Sequence, residues 1–245
     1  MGLLGSRTTH AALLSVAVPA HSRTVMAGAG VTRYTGRFMN QKVLILFAHP
    51  ALEKSRVNRR LVEAVHSLAG VTFNDLYQHY PDFDIDVPRE QQLLVEHDVV
   101  IMQHPFYWFS TPALVKEWKD LVLEHGWAYG RGGTALRGKT LLTAMTAGGG
   151  EEAYCQTGYN RYTILEFLAP IERTAALCGM TYLPPFVVHG THSLKEEEIG
   201  RHAADYRRVI EALRDGTLDR AAAANQPRLN ADLGAVLRKP VGGSP

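Results

Sequence analysis

The chain has 245 residues, of which 46% are hydrophobic, and a formal net charge of +2 at pH 7. This length and composition suffice for one domain with a full core and short appendages. The near-neutral charge gives no sign of a nucleic-acid-binding surface, and two cysteines without a CxxC pair fit neither a disulfide scaffold nor a zinc site. No apolar run approaches the ~20 residues that a bilayer crossing needs.

Residues 1–40 differ in composition from the rest of the chain. No Asp or Glu occurs from Met1 to Leu52, whereas arginines are interspersed among Ala, Ser, Thr and Val. This composition is typical of a transit peptide or a weak secretory signal. The alternative, which we favour, is a disordered extension or a start codon placed upstream of a functional Met39. The segment 216–245 also has the composition of a tail, which leaves residues 41–215 as the folded domain.

Between these segments, short apolar runs alternate with amphipathic helical segments. The predicted elements, in chain order, are a strand at 42–47, a helix at 55–70, a strand at 71–77, a helix at 88–97, a strand at 98–104, a helix from Pro112 to His125, a strand at 139–146, a helix at 161–179 interrupted by Pro170, a strand at 180–189 and a helix at 193–216 capped by Ser193. Continuous apolar runs such as "KVLILF" are typical of strands buried in a parallel sheet. The alternation predicts an α/β fold, with a doubly wound five-stranded parallel sheet and helices on both faces.

The loops after the first, third and fourth strands contain the residues that suggest a function. They read "AHPALEKS" (48–55), "HPFYWFST" (104–111) and "AGGGEEAYCQTGYN" (147–160). In doubly wound sheets, ligands bind beyond the carboxyl ends of the strands. These loops are therefore expected to meet around one ligand.

The residue types in these loops indicate a ligand with one phosphate and a flat ring. The first loop has neither a P-loop nor a dinucleotide fingerprint, but it brings His49, Ser55 and Asn58 to a helix N-terminus, where an anion is favoured. A plain helix cap is the alternative role of Ser55. The glycines of the last loop allow backbone to approach a planar ring, and the aromatic loop supplies another wall. Flavin mononucleotide (FMN) satisfies these requirements.

Several longer strings of the sequence resemble one known family. They are "AHP…S..N" at 48–58, "LYQHYPDFDID" at 76–86, "QHPFYWFSTPAL.KEW" at 103–118, "HGWAYGRGGTALRGK" at 125–139, "TAGGGE" at 146–151 and "LPPFVVH" at 183–189. The region from about 42 to 215 resembles the flavodoxin-like NAD(P)H:quinone oxidoreductases, and especially the ancillary flavoproteins of bacterial glutathione-gated potassium-efflux antiporters. The resemblance implies a flavodoxin-like domain that binds FMN, with FAD as the alternative, and a homodimer.

The resemblance also implies a set of site residues. The phosphate and ribityl chain would be held by His49, Ser55, Arg56, Val57 and Asn58; the isoalloxazine would be lined by Phe106, Tyr107, Trp108 and Phe109; and its pyrimidine edge would be bound by Thr146, Ala147, Gly148 and Gly149. Tyr154 and Asn160 are the candidate catalytic residues. Larger relatives have a tyrosine and a histidine at these two places, and the amide of Asn160 donates a hydrogen bond without exchanging a proton at neutral pH.

The activity that the resemblance implies is two-electron reduction of a quinone by NADH or NADPH, with hydride passing through flavin N5. It also implies a potassium/proton antiporter as partner, and hence a cytoplasmic protein that binds peripherally to the inner face of the cell membrane. A purely regulatory flavoprotein subunit and a flavodoxin-like electron carrier are the alternatives, although a carrier usually has a strongly acidic surface that this chain lacks. His189 and His192, with no third ligand nearby in sequence, do not predict a metal site.

Overall fold

The sheet has the predicted parallel, doubly wound topology. The structure, a computed structural model, describes residues 40–237, so the predicted extension up to residue 39 and residues 238–245 lie outside the described range. The strands are β1 (Val43–Phe47), β2 (Val71–Asp75), β3 (Val99–Pro105), β4 (Thr140–Thr146), β5 (Thr181–Tyr182) and β6 (Phe186–Val188). Every pairing is parallel, and the order is β2-β1-β3-β4-β5, with β6 also paired to β4. The predicted α/β class and parallel sheet are confirmed.

The fifth predicted strand is divided into two short strands. β5 pairs with the beginning of β4 and β6 with its end, and Pro184 and Pro185 lie between them. Proline has no N–H to donate to a strand ladder. The two prolines therefore interrupt the pairing without moving the chain away from β4.

The helices cover both faces of the sheet. They are α1 (Arg56–Val65), α2 (Leu76–His79), α3 (Val87–Glu96), α4 (Ala113–Val122), α5 (Ile164–Phe167), α6 (Ala169–Leu177), α7 (Glu196–Arg214), α8 (Arg220–Ala224) and α9 (Leu233–Val236). The predicted helix at 161–179 is two helices, because Pro170 lies in the first turn of α6 and lacks the N–H that would continue α5. Within residues 40–237, none of the helices combines the length and apolar character that a membrane crossing requires.

The last long helix begins later than the sequence predicts. We expected Ser193 as its cap, but α7 begins at Glu196 with Lys195 at the N-cap position. The Glu198 side chain accepts a hydrogen bond from the Lys195 backbone N–H at 2.8 Å. A carboxylate in the first turn thus satisfies a free N–H group and interacts favourably with the helix dipole.

The core lies on the two faces of the sheet, and β1 contributes to both. Val43, Ile45 and Phe47 are fully buried in the cluster that contains residues of α1 and α7. Leu44 and Leu46 are buried in the opposite cluster, with residues of α4 and α6. Because successive side chains of a strand point to opposite faces, a continuous apolar run is needed where both faces are covered.

A buried carboxylate ties β2, α3 and α4 together. Glu90 is 0% exposed. Its Oε1 accepts hydrogen bonds from the Tyr80 hydroxyl at 2.7 Å and the Asn74 amide at 3.1 Å, and its Oε2 accepts from Trp118 Nε1 at 2.8 Å. Arg89 forms an ion pair with the same carboxylate. Burial, together with the hydrogen bond to Glu90, raises the pKa of Tyr80 to about 12. This network fixes α4, which follows the aromatic loop.

Residues beyond the predicted domain boundary pack on the core. The composition of 216–245 predicts a tail, yet Ala223, Leu229 and Val236 are fully buried in the cluster that contains α1 and α7. Asp219 donates its backbone N–H to the Val236 carbonyl at 2.8 Å, which closes this segment on itself. Residues 218–237 therefore belong to the folded unit, in contrast to the expected tail.

The same segment covers the free edge of β6. Leu229 donates its N–H to the Pro185 carbonyl at 2.9 Å. The Asn230 side chain accepts from the Val187 N–H at 3.1 Å and donates to the Val187 carbonyl at 2.8 Å. A side-chain amide thus takes the place that a further strand would occupy.

Candidate functional site

A cavity of about 700 Å³ lies at the carboxyl ends of β1, β3 and β4. Of the predicted site residues, those that line it are His49, Ser55, Arg56, Val57, Asn58, Phe106, Tyr107, Trp108, Phe109, Thr146, Gly148, Gly149, Tyr154 and Asn160. Residues that line it without having been predicted are Ala51, Lys54, Pro105, Ala153, Tyr159, Thr191 and His192. The volume is within the range of small-molecule and cofactor sites.

Ala147 is the one predicted site residue that does not line the cavity. It is fully buried, and its backbone N–H donates to the Val188 carbonyl at 2.8 Å. Its carbonyl accepts from the Thr191 N–H at 3.2 Å. Ala147 therefore extends β4 by one residue and positions Gly148, which does line the cavity.

The first turn of α1 supplies hydrogen-bond donors to the cavity. Ser55 caps the helix, as its Oγ accepts from the Asn58 backbone N–H at 3.2 Å and from Asn58 Nδ2 at 3.1 Å. Two accepted bonds occupy the lone pairs of the hydroxyl, so its proton is left to donate. The N–H groups of Arg56 and Val57 belong to the first turn and have no intrahelical acceptor. Ser55 thus combines the cap role with that of a donor.

Asn58 joins the first and last loops of the site. It is 2% exposed, and its Nδ2 also donates to Thr146 Oγ1 at 2.9 Å. Its Oδ1 has no hydrogen-bond partner among residues 40–237. A buried amide oxygen left without a donor is costly, so this atom is suited to accept a hydrogen bond from a ligand hydroxyl.

His49 is a neutral donor at the same end of the cavity. Burial lowers the pKa of His49, and the charge of Glu53 offsets part of the change. Its Nδ1 accepts a hydrogen bond from the Ala51 backbone N–H at 3.1 Å. The proton of the neutral ring is therefore on Nε2, which is available to a ligand.

Two basic side chains complete this end of the cavity. Lys54 lies one residue before Ser55, the N-cap of α1, and lines the cavity. It was not among the site residues predicted from the sequence, although a cation beside a helix N-terminus favours binding of an anion. Arg56 was predicted, and its Nε donates to Glu196 Oε1 at 3.0 Å. Because Glu196 is on α7, this contact could be recognised only in the folded chain.

The aromatic loop forms a tight turn with an unusual backbone. Tyr107 donates its N–H to the Ser110 carbonyl at 3.2 Å, and Ser110 donates back at 3.0 Å. Trp108 and Phe109 between them have φ of 49° and 62°. This is the φ pattern of a type I′ turn, where Asn-Gly is usual, and an L-residue there costs about 1–2 kcal/mol. Trp108 is nevertheless 92% exposed, so packing against the other residues of 40–237 does not account for this backbone.

The neighbouring rings form one wall of the cavity. Phe106 lies 5.9 Å from Tyr154 between ring centroids, and Phe109 stacks on Phe167 at 5.3 Å. Phe167 is on α5, and its contacts hold the base of the aromatic turn. Offset and edge contacts of this kind add about 0.5–1.5 kcal/mol per pair.

Bare glycine backbone also lines the cavity, at Gly148 and Gly149. A Cβ added to Gly148 would lie 2.7 Å from His192 Nε2, and one added to Gly149 would lie 3.2 Å from the Tyr154 hydroxyl. These side chains therefore stand directly against the loop. The close approach of His192 and Tyr154 to the loop therefore depends on both glycines having no side chain.

Tyr154 and Asn160, the predicted catalytic pair, line the same cavity. Burial raises the pKa of Tyr154, and a hydrogen bond from the Gly149 backbone offsets part of the change. Tyr154 is therefore protonated at neutral pH and can donate its hydroxyl proton. Asn160 is held by its backbone N–H, which donates to the Ala153 carbonyl at 3.0 Å. Tyr159, beside it, is 92% exposed.

Comparison with known proteins gives a consistent family. The family model of the flavodoxin-like fold matches residues 41–210. The glutathione-regulated potassium-efflux system ancillary protein KefG of Serratia proteamaculans is 50% identical over 165 residues, which cover 67% of this chain and 90% of KefG.

Two solved structures are also similar. General stress protein 14 of Treponema denticola, determined in complex with FMN, has a TM-score of 0.68 and 39% identity, covering 70% of this chain and 99% of that chain. An NADPH-quinone reductase of P. pentosaceus has a TM-score of 0.63 and 32% identity, and the match covers 69% of this chain and 96% of the reductase chain. The chain therefore belongs to the flavodoxin-like family that also contains KefG ancillary proteins and quinone reductases of this fold.

Proposed function

We propose that the protein is an FMN-dependent NAD(P)H:quinone oxidoreductase. The observation that carries the proposal is a single cavity with helix N-terminal donors at one end and bare glycine backbone and aromatic rings at the other. The similarity to an FMN complex and to an NADPH-quinone reductase supports it. A purely electron-carrying role has no such support from these relatives.

The donor set fits the phosphate and ribityl chain of FMN. The Ser55 hydroxyl, the Arg56 and Val57 N–H groups and His49 Nε2 are donors, and Lys54 adds positive charge. The unpartnered Oδ1 of Asn58 is an acceptor for a ribityl hydroxyl. FAD contains the same FMN half, so release of the bound flavin and its identification distinguish the two.

The other end fits a flat ring that becomes more negative on reduction. FMN, when bound, would supply the redox chemistry, accepting two electrons from NADH or NADPH and delivering them to a quinone. Phe106–Phe109 would wall the ring, and Thr146, Gly148 and Gly149 would lie at its pyrimidine edge. Tyr154, which keeps its proton at neutral pH, would donate a hydrogen bond toward negative charge at that edge without rearranging.

Steady-state kinetics test the oxidoreductase proposal. With NADH or NADPH and a small benzoquinone as varied substrates, double-reciprocal plots should give parallel lines, because one site serves both substrates in turn. Anaerobic addition of either nicotinamide should bleach the bound flavin. Bound flavin that neither NADH nor NADPH reduces would contradict the oxidoreductase and leave the regulatory alternative.

Replacing Ser55 with alanine tests the phosphate end. Ser55→Ala removes one donor and should weaken FMN binding by about 1–3 kcal/mol, measured as the dissociation constant by flavin fluorescence. It also removes a helix cap, which lowers the free energy of unfolding by about 1 kcal/mol.

Asp86→Ala provides the matched control, because Asp86 caps α3 away from the cavity through its bond with the Arg89 N–H at 3.0 Å. It should lose similar stability and keep FMN affinity. Equal FMN binding by the wild type and Ser55→Ala would reduce Ser55 to a helix cap.

We propose in addition that the protein serves as the ancillary subunit of a potassium/proton efflux antiporter, as a homodimer bound peripherally at the cytoplasmic face of the membrane. The 50% identity to KefG supports this role. Potassium loss should be faster from cells that express a glutathione-regulated efflux antiporter together with this chain than from cells with the antiporter alone. Equal rates at matched antiporter levels would contradict it.

A further inference from the structure

Arg228 connects the C-terminal segment to the loop that contains Tyr154. The family model ends at residue 210, so Arg228 lies outside it. The bonds of Leu229 and Asn230 to Pro185 and Val187 fix the chain at this point. The position of Arg228 is therefore set by the hydrogen bonds of the two residues that follow it, one from the Leu229 backbone and two from the Asn230 side chain.

The guanidinium of Arg228 forms an ion pair with Glu151. The side chain of Arg228 is 22% exposed and that of Glu151 61%. Glu151 begins the 3-10 turn Glu151–Ala153, and its carbonyl accepts from the Tyr154 N–H at 3.0 Å. Arg228 thus contacts the residue on which Tyr154 is anchored.

The charge of Arg228 also acts on His189, whose ring contacts that of Tyr154. The ring centroid of His189 lies 5.5 Å from that of Tyr154. Nδ1 of His189 is buried and has no partner within residues 40–237. Burial lowers the pKa of His189, and the positive charge of Arg228 lowers it further.

Other charged groups face the same imidazole. Glu151 and Glu152 raise the pKa of His189, and His202 on α7 lowers it. If Arg228 were absent, the two carboxylates would act unopposed except by His202. His189 would then take up a proton at a higher pH than in the wild type, next to the ring of Tyr154.

We infer that Arg228 is a positioning residue for the FMN site, because its ion pair with Glu151 holds the 151–160 loop that contains Tyr154. The same guanidinium has a separate electrostatic effect, since its positive charge opposes protonation of His189. The inference rests on the proposed function for its consequence in FMN binding. Its electrostatic part concerns the protein alone. The segment at 218–237 thereby becomes part of the site, although it lies outside the matched family region.

The test compares Arg228→Ala with Arg228→Lys and a control in the same segment. Arg220→Ala is the control, because Arg220 Nη1 donates to Thr140 Oγ1 at 2.7 Å, at the end of β4 that is remote from the cavity. Arg228→Ala should raise the FMN dissociation constant about two- to fivefold, the range of partly exposed ion pairs. Arg228→Lys should recover much of the affinity, and Arg220→Ala should leave it unchanged.

A second measurement does not need FMN. NMR titration of the His189 ring in the full chain should show its protonation midpoint at higher pH in Arg228→Ala than in the wild type, with Arg220→Ala unchanged. An unmoved His189 midpoint together with wild-type FMN affinity would overturn the inference. Equal losses of FMN affinity in Arg228→Ala and Arg220→Ala would also overturn it, because the segment would then affect FMN binding only through the stability of the fold. A wild type that binds no FMN would instead refute the proposed function, and the His189 titration would still decide the role of Arg228.

Discussion

Replacing Glu90 with leucine is expected to lower the free energy of unfolding by about 3–5 kcal/mol, the largest stability effect we predict. The substitution removes the acceptor of the Tyr80 hydroxyl, the Asn74 amide and the Trp118 indole, and leaves those donors buried. Each buried polar group without a partner costs about 1–3 kcal/mol. Urea unfolding followed by circular dichroism measures the change.

Two further variants make the Glu90 experiment specific. Glu90→Gln keeps the shape of the side chain but turns an NH₂ group toward hydrogen-bond donors. It should therefore lower the free energy of unfolding by more than about 1 kcal/mol. Glu96→Gln, on the exposed side of the same helix, should change the free energy of unfolding by less than about 0.5 kcal/mol. A Glu90→Leu protein within 1 kcal/mol of the wild type would show that the network contributes little net stability.

Trp108→Gly is expected to change stability and ligand affinity in opposite directions. Glycine adopts the left-handed backbone at φ 49° without strain, so the free energy of unfolding of the FMN-free protein should rise by about 1 kcal/mol. Removing the Trp108 side chain loses little packing, because it is 92% exposed. FMN should bind about two- to tenfold more weakly, because one ring contact is lost. Thermal unfolding and flavin fluorescence measure the two effects.

Trp108→Ala separates the backbone from the ring. Alanine loses the ring but keeps a Cβ at the strained position, so it should weaken FMN as glycine does without the gain in stability. The rival explanation is that Trp108 packs against a second copy of the chain. Unchanged FMN affinity in a variant that has become monomeric by analytical ultracentrifugation would assign the turn to assembly.

The sequence predicts the centre of the sheet well because β1, β3 and β4 are buried on both faces. Runs such as Val43–Phe47 are continuously apolar, and that pattern does not depend on any distant contact. The prediction from sequence is wrong where the local composition indicates one structure and contacts with residues far away in the chain produce another. The alanine-rich composition around Ala223 predicts a tail, since the few apolar residues that anchor the segment become visible only when the sheet face they cover is known.

The site shows the same division. Rules for loops at strand ends place His49, Ser55 and the aromatic turn around one cavity, because parallel strands bring their carboxyl ends to one edge. The partner of Arg56, the burial of Ala147 and the approach of Arg228 depend on chain far away in sequence. The role of each residue toward FMN stays a prediction.

The covering of β6 has a consequence for the behaviour of shortened chains. Asn230 satisfies both backbone groups of Val187, and without it this edge would present an open N–H and C=O to solvent. Open strand edges are templates on which another polypeptide can add a strand. A chain cleaved before Leu229 should therefore aggregate through strand addition at β6 while the rest of the sheet is still folded, and light scattering should rise before circular dichroism changes.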